Sequence, residues 1–117
     1  CYDLRFPVWS RNRGDYDVAL YVASWPVGRI EAWSALLRAR AIENQCYVVG
    51  VNRVGSDPQG LIYTGDSALI NPRGEVIAEA AAGAEQMVCG SLSYEPLSEL
   101  RRKFPVWADA DRFTLEL

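Results

Sequence analysis

The sequence predicts one α/β unit. Three features carry that expectation: a strand, helix, strand run between Asp17 and Val51, a series of short strands separated by turn formers after Asn52, and no repeat, low-complexity tract or linker in 117 residues. Half of the residues are hydrophobic and 23% are charged, enough apolar side chain for a core and too much for a disordered or collagen-like polymer.

Each element has a local reason. Asp17 to Ala23 is a short apolar run with β-branched and aromatic members between Gly14 and Pro26, the pattern of a strand buried on both faces. From Ile30 to Gln45, Ile30, Trp33, Leu37 and Ala41 recur every three or four residues with Arg38 and Arg40 off their face, which predicts an amphipathic helix. Cys46 to Val51 reads as a second buried strand entered almost without a loop, completing a βαβ arrangement that is most often parallel and right-handed. Beyond Asn52, Gly55 to Gly60 is a loop rich in turn formers, and Leu61 to Thr64, Ser67 to Ile70 and Glu75 to Glu79 are short strands. Asn71-Pro72-Arg73-Gly74 has Pro at the second turn position and Gly at the fourth, so the strands on either side should form an antiparallel hairpin. Gln86 to Leu92 is expected to add a further strand and Pro96 to Lys103 a short helix with Pro near its start. The tail, Phe104 to Leu117, is expected to pack through Phe104, Trp107, Phe113 and Leu115.

Composition narrows the chemistry. Twelve Lys and Arg against fifteen Asp and Glu leave a formal charge of −3 and a pI near 4.9, with no basic footprint for nucleic acid. No apolar run approaches the ~18 to 20 residues that cross a bilayer, and no signal-peptide pattern opens the chain, so neither a membrane nor an export route is expected. Cys1, Cys46 and Cys89 are an odd set without repeated spacing, which suits a reducing, cytoplasmic setting better than a disulfide framework. Histidine is absent, which removes a Ser-His-Asp triad, a Cys-His pair and a histidine-ligated zinc site. No acidic or cysteine cluster has metal-ligand spacing, and Gly55, Gly60, Gly65 and Gly74 lie too far apart for a phosphate loop, so no metal or cofactor is expected. The chain opens on Cys1 and its one methionine is Met87, so it is expected to be a fragment.

Cys1 is the candidate nucleophile. With no histidine, its thiol would be activated by a Lys, a Glu or its own amine. Cys46 opens a buried strand and Cys89 lies in the middle of the strand expected from Gln86 to Leu92, so both read as core. Lys103, the sole lysine, reads as a surface helix position, and Arg40 with Glu43 as a structural pair at helical spacing. Asp3 and Arg5 are expected to brace the nucleophile turn, and Trp25 to wall a pocket, while Trp9 and Trp33 read as core or interface.

The run Cys1-Tyr2-Asp3-Leu4-Arg5-Phe6-Pro7 resembles the nucleophile motif of the nitrilase superfamily, the carbon-nitrogen hydrolases. Further blocks follow in order: Ser24-Trp25-Pro26, Arg38 to Gln45, Asn52-Arg53-Val54-Gly55, Gly65-Asp66-Ser67 and Asn71 to Glu75. Val8-Trp9-Ser10-Arg11-Asn12 and Lys103-Phe104-Pro105-Val106-Trp107 are similar to bacterial omega-amidases within it. The resemblance implies an αββα sandwich, with residues 1–117 the carboxy-terminal half of one hydrolase domain. It implies a Glu-Lys-Cys triad with Cys1 as nucleophile, the Tyr2 backbone N–H as an oxyanion donor, and a missing amino-terminal half that brings the Glu and the Lys. Arg5 would hold a substrate carboxylate, because a guanidinium matches carboxylate geometry bidentately. The implied activity is hydrolysis of the terminal amide of a small carboxylated substrate through a cysteine thioester, releasing ammonia, in a homo-oligomer. Two other readings remain open: an N-terminal-nucleophile hydrolase using the amine of Cys1 itself, and a catalytically inactive interaction fragment.

Overall fold

The apolar run after Asp17 becomes β1 (Val18–Ala23), the edge of a four-stranded sheet, in a computed structural model that describes residues 1–117. It is followed by α1 (Ile30–Asn44), β2 (Tyr47–Asn52), β3 (Val54–Ser56), β4 (Ile62–Thr64), β5 (Ala68–Ile70), β6 (Val76–Glu79) and α2 (Tyr94–Lys103). The sheet order is β1-β2-β5-β6, with β3 and β4 forming a separate hairpin. β1 and β2 are parallel, Val18 beside Tyr47 through Ala23 beside Asn52, as expected of a strand, helix, strand unit. β5 runs antiparallel to β2 and to β6, and the turn Asn71 to Gly74 closes the predicted hairpin with Gly74 N–H donating to the Asn71 carbonyl at 2.9 Å.

α1 covers one face of this sheet. Trp33, Leu37 and Ala41 bury against Ala23, Val48, Ala68 and Ile70, each large side chain contributing roughly 1.5 to 3 kcal/mol. Gly50 sits where the helix approaches closest: a Cβ there would stand 2.5 Å from Leu37 Cδ1. The helix ends without a glycine. Gln45 takes a left-handed φ of 44°, and the N–H groups of Gln45 and Cys46 return to the carbonyls of Ile42 and Ala41. α2 docks through buried Leu97 and through Arg101, which donates to the Gln45 and Tyr16 carbonyls and pairs with Asp17. No helix is long and apolar enough to cross a membrane.

The structure corrects several expectations. β1 is covered on one face only; Leu20 and Val22, pointing away from α1, are 70% and 73% exposed. Arg40 is buried rather than off the packed face, because α1 is flanked by the turn at Tyr2–Arg5 as well as by the sheet, and that turn supplies Arg40 with an acceptor. The Gly55 to Gly60 loop contains the end of β3 and a tight reversal, in which the Asp57 carboxylate accepts the N–H groups of Gln59 and Leu61 and the Tyr63 hydroxyl. Those bonds hold the Asp57 carboxyl below its usual range against the opposing effect of desolvation.

Gln86 to Leu92 forms no strand. It crosses the β5–β6 pair instead of lining its edge, and a Cβ on Gly90 would stand 2.8 Å from Leu69 Cδ2. Cys89 is therefore exposed, whereas Cys46 is buried as expected. In the tail, Trp107 is half-buried under Arg101, but Phe104, Leu115 and Leu117 are exposed, and the half-exposed Phe113 ring lies under the Arg13 guanidinium. Trp33 is core and Trp9 is not.

Candidate active site

Cys1 and the carboxyl end of β1 meet across a shallow pocket of about 330 Å³ lined by Cys1, Tyr2, Arg5, Ser24, Trp25, Pro26 and Arg29. Its position follows from the fold: the crevice beyond the carboxyl ends of parallel strands is where α/β sheets leave room for a ligand. Cys1 leads directly into a 3-10 turn, Tyr2–Arg5, in which Leu4 N–H donates to the Cys1 carbonyl at 3.2 Å and Phe6 N–H to the Asp3 carbonyl at 3.0 Å. Leu4 is fully buried and pins the turn to the core. β1 meets the other side of the same residue: Ser24 N–H donates to Cys1 Sγ at 3.0 Å, and the Cys1 nitrogen lies 3.4 Å from the Val22 carbonyl.

Trp25 lines one side of the pocket. Its N–H donates to Asn52 Oδ1 at 2.7 Å, its carbonyl accepts Asn52 Nδ2 at 2.9 Å, and its Nε1 donates to the Arg29 carbonyl at 2.7 Å. Beneath it, the Trp33 ring lies with its centroid 5.7 Å away. Arg5 does not brace the turn; its guanidinium lies over the Trp25 ring, 4.7 Å from the centroid, a contact worth about 0.5 to 1 kcal/mol at an exposed position. Arg5 and Arg29 are the pocket's two charged side chains, both cationic, so the site favours an anion. No carboxylate or lysine lines it: Glu43 pairs with Arg40 at 2.8 Å on the far side of the turn, and Lys103 pairs with Glu99 on the surface of α2. No three His, Cys, Asp or Glu side chains converge on one point.

Asn52 is the residue whose part was not assigned from sequence. Its side chain makes both bonds to the Trp25 backbone, and its N–H donates to Ser67 Oγ at 2.9 Å. The available signal was a buried amide directly after an apolar strand, since such a group needs partners for both its ends.

The carbon-nitrogen hydrolase family matches residues 1–102. Omega-amidase YafV of Escherichia coli K12 is 62% identical over 115 residues, 98% of this chain and 45% of that protein. The 2-oxoglutaramate amidase of Bacillus subtilis is 40% identical over 111 residues, 93% of this chain and 42% of that one. Among solved structures, XC1258 of Xanthomonas campestris, a CN-hydrolase superfamily protein with an arsenic adduct in its active site, superposes with a TM-score of 0.93 at 46% identity, covering 99% of this chain and 46% of that one. The chain thus spans somewhat less than half the length of these relatives. A family match across nearly the whole chain, joined to a mixed sheet of the same architecture, establishes that the chain belongs to the carbon-nitrogen hydrolases of the nitrilase superfamily.

Proposed function

We propose that the complete protein is an amidohydrolase of the omega-amidase kind, cleaving the terminal amide of a small carboxylated substrate. The observation that carries this reading is the placement of a thiol under a backbone N–H, in a pocket whose charged side chains are two guanidiniums. The names of the similar proteins, omega-amidase and 2-oxoglutaramate amidase, support the same substrate class. In this reading Cys1 Sγ bonds to the amide carbon, the C–N bond breaks, and ammonia leaves with a proton from a general acid. Water then adds to the thioester, releasing the acid and restoring the thiol.

The glutamate general acid and base and the lysine that complete this chemistry come, on this reading, from the part of the domain outside the present chain. The Tyr2 N–H is the second oxyanion donor, a type of contact worth ~10² to 10³ in rate. Arg5 holds the substrate carboxylate and Trp25 the wall beside it. The apolar face around Leu20 and Val22 is where the other half of the sandwich would pack. Exposed Ile42 and Phe104 support a homo-oligomer, and three unpaired cysteines support a cytoplasmic setting.

The test is ammonia release by the complete protein from a 2-oxo dicarboxylic monoamide and from a neutral amide of equal length. Preference for the carboxylated amide is expected, with no release by residues 1–117 alone. Activity of residues 1–117 alone would favour the N-terminal-nucleophile alternative, and a complete protein inert toward all amides would favour the interaction fragment.

A further inference from the structure

We propose that Arg40 is a positioning residue for the nucleophile turn, holding the backbone that places the Cys1 thiol and the Tyr2 N–H; this rests on the amidase reading of the pocket. Arg40 is 3% exposed. Its Nη2 donates to the buried Leu4 carbonyl, thirty-six residues away in sequence, and its Nη1 donates to Glu43 Oε1 at 2.8 Å. Glu43 is in turn tied to the segment after the turn, because its carbonyl accepts Arg11 Nη1 at 3.2 Å.

The energetics point away from helix stability as the reason for this arrangement. An i,i+3 ion pair adds little to a helix, whereas burying a guanidinium carries a large desolvation cost. An exposed pair would serve the helix equally well. What burial adds is the bond to Leu4, the residue that closes the turn by donating its N–H to the Cys1 carbonyl. Leu4 is thereby fixed at its side chain, its N–H and its C=O together, which leaves the turn one orientation. Cys1 Sγ must also meet the Ser24 N–H at the end of β1, a separate element. Arg40 therefore references the turn to α1, as the core references β1 to α1, and the thiol sits where the two constraints agree. Lysine lacks the planar fork that reaches both acceptors.

Arg40→Lys and Glu43→Gln in the complete protein test this, and the three cysteines report on the outcome. Buried Cys46 signals unfolding, exposed Cys89 is the reference, and Cys1 reads the turn. Each is followed by iodoacetamide labelling and peptide mass spectrometry beside kcat and KM for ammonia release. In Arg40→Lys, kcat should fall about 10- to 100-fold with KM nearly unchanged, since ~1 Å of misplacement costs on that order. The Cys1-to-Cys89 labelling ratio should change by about threefold or more while Cys46 stays protected, because thiol reactivity follows the local field. A folded Arg40→Lys enzyme with wild-type kcat and labelling ratio overturns the proposal. Should Arg40→Lys expose Cys46, Glu43→Gln decides: a smaller fall in kcat with Cys46 protected supports the proposal, and unchanged kcat and ratio overturn it. If the wild-type protein releases no ammonia, the amidase reading fails, and the labelling ratio still judges Arg40 by itself.

Discussion

The Ser24 backbone N–H donates to Cys1 Sγ at 3.0 Å, so the end of β1 presents a hydrogen-bond donor to the one thiol in the pocket. That bond fixes the direction in which the side chain presents its sulfur to the pocket. Replacing Cys1 by Ala or Ser in the complete protein is expected to abolish ammonia release. The melting temperature should stay within a few degrees, because Ala and Ser are close in size to the thiol and leave the turn's backbone bonds in place. Turnover retained by the alanine variant would remove Cys1 from the mechanism.

Arg5 lies over Trp25 with no carboxylate in the pocket to occupy it. Arg5→Lys keeps the charge and loses the bidentate fork. The expected result is a drop of about 10- to 100-fold in kcat/KM for carboxylated amides, one charge-assisted hydrogen bond being worth about 1.5 to 3 kcal/mol, and little change for neutral amides. Equal losses on both substrates would show that Arg5 does not read the carboxylate.

Gly50 and Leu37 form a matched pair: a methyl group on the Gly50 Cα would fall 2.5 Å from Leu37 Cδ1 and 2.9 Å from Trp33 Cζ2. Gly50→Ala should destabilise the protein by about 1 to 3 kcal/mol through overpacking. Leu37→Ala alone should cost about 2 to 5 kcal/mol, and the double variant less than the sum, because the shortened side chain vacates the contested space. Urea denaturation of the four proteins measures the coupling, and strict additivity would refute the contact.

Cys46 is fully buried, and desolvation pushes its thiol from 9.0 up to about 12. Below pH 9 the thiol is neutral in folded and unfolded chains alike, and its contribution is fully present. Between about pH 9 and 12 the unfolded chain ionises first, so stability is lost as pH rises, by up to about 1.4 kcal/mol per pH unit. The stability difference between wild type and Cys46→Ala should therefore shrink across that window. A pH-independent difference in chemical denaturation would contradict it.

Leu20 and Val22 stand open on the sheet face opposite α1, with Val51 half exposed beside them on β2. Residues 1–117 expressed alone should associate, since contiguous apolar patches beyond a few hundred Å² are uncommon on monomers. Sedimentation should show oligomers that Leu20→Thr with Val22→Thr reduces. A monodisperse wild-type monomer would show that this face needs no cover.

Arg40 marks the boundary of what periodicity can reveal. The spacing of Trp33, Leu37 and Ala41 identified α1 and the face it turns to the sheet, because a helix packed on one layer needs only one apolar stripe. A second neighbour, the Leu4 turn, arrives from 36 residues away, and a one-dimensional pattern carries no sign of it. The same holds for Cys89 and Gln86 to Leu92: an apolar run with strand composition forms a strand only where a free edge offers ladder partners, and here the chain crosses a sheet instead.

The sequence by itself determined the α/β class, the parallel pairing across α1, the hairpin at Asn71 to Gly74 and the family, because these depend on local spacing and on ordered motifs. Tertiary structure alone decided that Ser24 meets Cys1, that Asn52 holds Trp25, and that Arg5 stacks on the pocket wall instead of bracing its turn. Those contacts join residues brought together by chain reversal, and their bond directions exist only once the backbone of both partners is fixed.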